Sequence, residues 1–182
     1  MIRQKLRGLV GQAISGGRKT LTPLSLVYAP GSYTFRPTRP GWYRFVLWGP
    51  GGTTGAAVSS GGALVIAQRV LSVGQSVAIV VGNAGANSTI TLPSGEVLTA
   101  GAGQEGASLA GGVASGNRQL GDILVNGNAS TASPGAGASY GPYIGGAAGS
   151  EGSSPGGGGQ SGLSGFGGGD GLCVIHQVRM RP

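Results

Sequence analysis

Glycine constrains this chain more than any other residue. There are 41 glycines in 182 residues, about three times the usual share of roughly 7%. Each one inside a helix costs roughly 1 kcal/mol relative to alanine, so extended helical architecture is excluded for most of the chain. No strict Gly-X-Y register runs through it, which excludes a collagen. Hydrophobic residues still make up 39%, more than a disordered polar tract carries. The glycines are also unevenly placed: 25 fall within 101–171 and 16 elsewhere.

Before that stretch, residues 26–100 read as strands separated by turns. Leu26 to Ala29 leads into Pro30-Gly31, a turn pair, and Tyr33 and Phe35 alternate with polar neighbours. Trp42 to Trp48 is the strongest strand, rich in aromatic and branched residues. Its period of two puts Tyr43, Phe45 and Leu47 on one face, and Trp42, Arg44, Val46 and Trp48 on the other. The expected core therefore includes Tyr43, Phe45, Leu47 and Trp48, with Trp42 also expected to fill the sheet core. Ala63–Leu71 and Ser76–Val81 read as a second strand pair. Ile90–Leu92 and Glu96–Thr99 flank Pro93-Ser94-Gly95 as a hairpin. Even spacing and glycine-rich turns predict an all-β antiparallel sandwich or jelly-roll-like domain.

Within 101–171 only Ile123-Leu124-Val125 reads as a strand. Gly156, Gly159, Gly162, Gly165, Gly168 and Gly171 keep a three-residue period, the repeat of a polyproline-II-type helix. Such a helix has no internal hydrogen bonds, so its peptide groups must bond to neighbouring chains, and glycine permits that approach. A flexible linker is the alternative reading of the same composition. An apolar strand follows at 172–180, with Val174 expected in the core. It is expected to pair with an early strand, which makes 101–171 an insertion at one end of a β-scaffold.

Charge separates a further segment. The chain carries a formal net charge of +7, yet residues 1–95 hold nine basic side chains and no acid. Residues 1–25 form a basic arm, with Arg3, Lys5, Leu6, Arg7, Leu9, Arg18 and Lys19 as its anchoring candidates. The domain division is thus an arm at 1–25 and a glycine-rich β domain at 26–182. A basic surface attracts nucleic acid, an anionic membrane or an acidic protein surface. The interrupted apolar residues of the arm do not read as a secretory signal. No apolar run reaches the 18 or more residues of a membrane span.

Catalytic chemistry has little material. Cys173 and His176 are the single residues of their types and three apart on a strand, hence on opposite faces. They cannot form a nucleophile–base pair there, and no zinc site or cofactor is expected. Gly101 to Gly106 matches G-x-G-x-x-G, but Gly111-Gly112 breaks the helix that a dinucleotide site requires. Arg39, Trp42, Tyr43 and Arg44 interleave basic and aromatic groups in the manner of single-strand nucleic-acid platforms. Tyr140-Gly141-Pro142-Tyr143 differs from these, because its two aromatics stand in a glycine-rich loop. They suit recognition of a sugar or a protein surface, or else anchor the loop. Phe166 belongs with them as a candidate contact.

The order of motifs resembles a known family. Ala29-Pro30-Gly31-Ser32-Tyr33-Thr34-Phe35, then Val46-Leu47-Trp48-Gly49-Pro50-Gly51-Gly52, is similar to the opening of the glycine-rich domain of bacteriophage tail-fibre and other virion proteins. Val73-Gly74-Gln75-Ser76-Val77 and Gly168 to Ile175 resemble its following hairpin and terminal strand. The resemblance spans about residues 26–180 and carries no catalytic residue. It implies a non-enzymatic virion-surface module, commonly a homotrimer, presenting loops to a host glycan or outer-membrane protein. The arm would then attach it to other virion proteins. A capsid decoration protein is the alternative, and a basic nucleic-acid-binding protein a weaker one.

Overall fold

The computed structural model describes residues 25–53, 58–105, 110–130, 134–146, 154–157 and 168–178. Residues 1–24 of the arm, Phe166, and Gly159, Gly162 and Gly165 of the periodic run lie outside them, while Ser25, the last residue assigned to the arm, begins the first strand. Ten strands make up the described fold: β1 Ser25–Tyr28, β2 Gly31–Phe35, β3 Gly41–Trp48, β4 Leu64–Leu71, β5 Val77–Val81, β6 Ser88–Thr91, β7 Val97–Ala100, β8 Ala114–Ser115, β9 Ile123–Val125 and β10 Leu172–Val178. They form two five-stranded sheets, in the order β1-β10-β3-β4-β9 and β2-β5-β6-β7-β8. Every pairing is antiparallel. No described helix is long and apolar enough to cross a membrane.

The alternation of β3 builds the interior. Tyr43, Phe45 and Leu47 are fully buried and face Phe35, Val77, Ile79 and Ile90 of the other sheet. Removing a side chain such as Phe45 from water contributes about 1.5–3 kcal/mol. Val46 and Trp48 point to the other side of their sheet, where they form a second apolar cluster with Leu64, Ile66 and Ala138. Val174 is partly buried and packs against that second cluster. Trp42 is only half-buried, because it lies at the far end of β3 from the cluster around Trp48.

Two strand expectations change. The segments Ala63–Leu71 and Ser76–Val81 do not pair: β4 and β5 stand in opposite sheets and face one core from its two sides. An inward face looks the same in sequence whichever sheet carries it, so period two could not separate the cases. β8 is an additional strand, too short at two residues to show any period. The closing strand β10 inserts between β1 and β3, with Ile175 opposite Leu26 and Phe45.

The described glycine segments bond to one another. Segment 59–63 is their hub. Gly61 N–H donates to the carbonyl of Asn128, Gly62 N–H to that of Gly156, and Ala63 N–H to that of Gly101. Its own carbonyls accept from Gly49, Gly52, Gly112, Gly135 and Ala138. Six neighbouring segments therefore surround it, the pattern needed by extended chains that lack internal hydrogen bonds. A Cβ on Gly61 would run into the Ala136 carbonyl, and one on Gly62 into the Gly49 carbonyl. The glycines here allow backbones to approach where any side chain would hold them apart.

Candidate functional site

The Tyr140–Tyr143 turn lies over the outer face of the first sheet. Tyr140 and Tyr143 exchange backbone hydrogen bonds of 2.8 and 3.0 Å, closing a tight turn through Gly141 and Pro142. Gly141 holds φ at +57°, which a residue without Cβ adopts at little cost. The turn is anchored from below: Ala138 accepts a 3.2 Å hydrogen bond from the buried Trp48 indole N–H. The Tyr143 ring meets Trp48 edge-on at 6.2 Å and His176 at 6.5 Å. Tyr143 thus anchors the loop and is half-buried, while Tyr140 remains 51% exposed.

Under the turn, three strands place one residue each in a row. His176 on β10 is opposite Arg44 on β3, which is opposite Gln68 on β4. Arg44 Nη1 donates to the Tyr143 hydroxyl at 3.3 Å. Its Nε is buried without an acceptor. Burial, and secondarily the charge of Arg44, push the His176 pKa below the usual histidine value, so at neutral pH the row carries its positive charge on Arg44. Arg44, Gln68, Ile123, Tyr140, Pro142 and Tyr143 line a recess of about 240 Å³. It joins aromatic faces, an amide and one cation, groups that can hold a polar ligand through ring contacts and hydrogen bonds.

A second recess, about 310 Å³, opens near Trp42, Pro93 and Glu96. Its charges are already paired. Arg69 forms ion pairs with Glu96 and, at 2.9 Å, with Asp122. Burial acts to lower the Arg69 pKa, but the hydrogen bonds it donates to both carboxylates outweigh it and hold the group above the usual arginine range. This network escaped the sequence reading. Its signal was Arg69 at the inward parity of β4, shared with Val65, Ala67 and Leu71; a cation there requires buried partners.

The other sequence candidates fall as follows. Tyr43, Phe45, Leu47 and Trp48 are buried, and the Tyr43 hydroxyl donates to the Arg39 carbonyl at 2.7 Å. Cys173 lies in the inner core, and burial pushes its thiol pKa up to about 12. His176 faces the opposite side, toward Tyr143. Among the described residues, no group of three or more His, Cys, Asp or Glu side chains could hold a metal. Gly101 and Gly103 donate backbone hydrogen bonds to Val113 and Pro50, within the glycine segments and not at a helix start. Phe166 and the arm candidates Arg3, Lys5, Leu6, Arg7, Leu9, Arg18 and Lys19 lie outside the described residues. The sequence matches no protein-family model, and no curated protein is significantly similar to it.

Proposed function

We propose that this chain is a non-enzymatic surface module of a bacteriophage virion, anchored by its basic arm, which presents the Tyr140–Tyr143 turn for host attachment. The observation that carries this reading is the turn itself. Exposed aromatic area is held on a rigid base of Trp48, Arg44 and cross-bonded glycine segments. Rigid aromatic presentation lowers the ordering cost of binding. The resemblance in motif order to virion glycine-rich domains points the same way.

Self-association, as a homotrimer in this reading, has its own support. The outer face of the second sheet exposes Thr34, Ala78, Val80, Thr91 and Val97 and no charge along those strands. Copies with net charge +7 repel one another, and an uncharged face is where they can meet at least cost.

Labelled particles test the proposal. The expected result is label at a host-facing tip, and purified protein that binds host cells. Tyr140→Ala with Tyr143→Ala should weaken that binding at least tenfold. Label spread over the head, with heat-sensitive particles when the protein is missing, would replace attachment with capsid decoration. Nucleic-acid binding that falls steeply with salt, without cell binding, would favour the basic-protein alternative.

A further inference from the structure

We infer that the recess beneath the Tyr140–Tyr143 turn binds the carboxylate-bearing ring of an acidic saccharide, with Arg44 as its anion contact. This rests on the reading of the turn as a host-contact surface and names the chemistry of its partner.

Charge is the first argument. Arg44 is the one charged residue lining the recess. Arg69 holds Glu96 and Asp122, and among the described residues no carboxylate pairs with Arg44. A guanidinium offers five N–H donors in a planar fork, and one of these is taken up by Tyr143. Nε is shielded from water and lacks an acceptor. An anion entering the recess meets this guanidinium through its terminal nitrogens, since a nitrogen closed to water is also closed to a ligand oxygen of similar size. A carboxylate matches the fork in plane and spacing.

Shape and lining supply the second argument. The volume of about 240 Å³ is below the ~300 Å³ at which drug-sized pockets begin, and suits one sugar ring. Tyr140 and Pro142 are exposed at its rim, where flat apolar faces cover the C–H face of a pyranose. Gln68 stands directly across from Arg44, and its amide can both donate to and accept from ring hydroxyls. The wall thus offers face contacts and an amide partner for hydroxyls together with a single cation, an arrangement that favours a sugar acid over an acidic peptide side chain.

Calorimetric titration of the purified full chain tests the assignment. The probes are oligogalacturonate and oligosialate as acidic saccharides, oligogalactose as the neutral control, and hexaglutamate as the acidic peptide. At least one acidic saccharide should bind tenfold or more tightly than oligogalactose and hexaglutamate. Arg44→Gln should remove that preference, and Tyr140→Ala should weaken the binding at least fivefold. Arg36→Gln, at an exposed arginine away from the recess, should change neither. Thermal unfolding of each variant checks that it folds, and the exposed Tyr140 keeps the test valid even if Arg44→Gln does not. Binding of neither acidic saccharide, equal binding of oligogalactose or hexaglutamate, or binding indifferent to both recess variants would overturn the inference. Cell attachment that persists after such a failure leaves the host-contact reading standing.

Discussion

Arg69 is the residue on which the two sheets depend electrostatically. It projects from β4 in the first sheet and pairs with Glu96, which immediately precedes β7 in the second. Asp122, just before β9, closes the other side through two bonds of 2.9 Å. Burial alone would raise the Asp122 pKa, but hydrogen bonds from Arg69 and from the backbone N–H of Gln119 and Gln68 outweigh it, so the net shift is downward. A carboxyl held lower in the folded state stabilises the fold above its ordinary range near 4. That contribution is lost as pH falls through the lower folded value. Asp122→Asn should therefore cost about 3–5 kcal/mol at pH 7, as expected when one member of a buried ion pair is removed. The deficit should shrink toward pH 3. Urea midpoints at both pH values check this; a deficit independent of pH would show that Asp122 acts by shape alone.

At the scale of elements, the glycine hub behaves as a structural unit equal to a strand. Segment 59–63 lends its peptide groups to six others, so a methyl added at its centre disturbs several at once. Gly61→Ala should cost about 3 kcal/mol or more, beyond the usual overpacking range of roughly 1–3 kcal/mol, because the obstacle is backbone and not a movable side chain. Hydrogen exchange checks it: the Gly61 and Gly62 amides should be as protected as those of β3 in the parent, and lose that protection in the variant. Sequence made some elements legible and hid others. The faces of β3, the 92–95 hairpin and the pairing of the closing strand could be read, because alternation and turn chemistry are local. The partition of β4 and β5 between sheets could not, nor could the Arg69 network, whose partners are 27 and 53 residues away. In the candidate site the two tyrosines were legible from their glycine-rich surroundings. Arg44 was visible on one face of β3 and in the basic–aromatic run from Arg39, but not as a neighbour of the tyrosines, because that contact comes from a loop 99 residues distant.

Across the whole molecule, the sandwich and the glycine segments divide the work of stability. The sandwich core buries large side chains between its sheets, while the glycine segments have little side chain to bury and are joined through their backbones. That division carries a consequence in time. The hub is contacted by segments reaching from Gly49 to Gly156, so its bonds close only after most of the chain has been brought into place. Folding that waits on contacts of such long sequence separation is slow, and interactions completed after the transition state chiefly retard unfolding. The protein should refold from urea over seconds or longer, and Gly61→Ala should accelerate unfolding while leaving the refolding rate nearly unchanged. Stopped-flow fluorescence of Trp48, which sits beside the hub's neighbour Ala138, reads both rates. A chain built this way would owe its persistence to reluctance to open, its working lifetime set by an unfolding rate and not by an equilibrium.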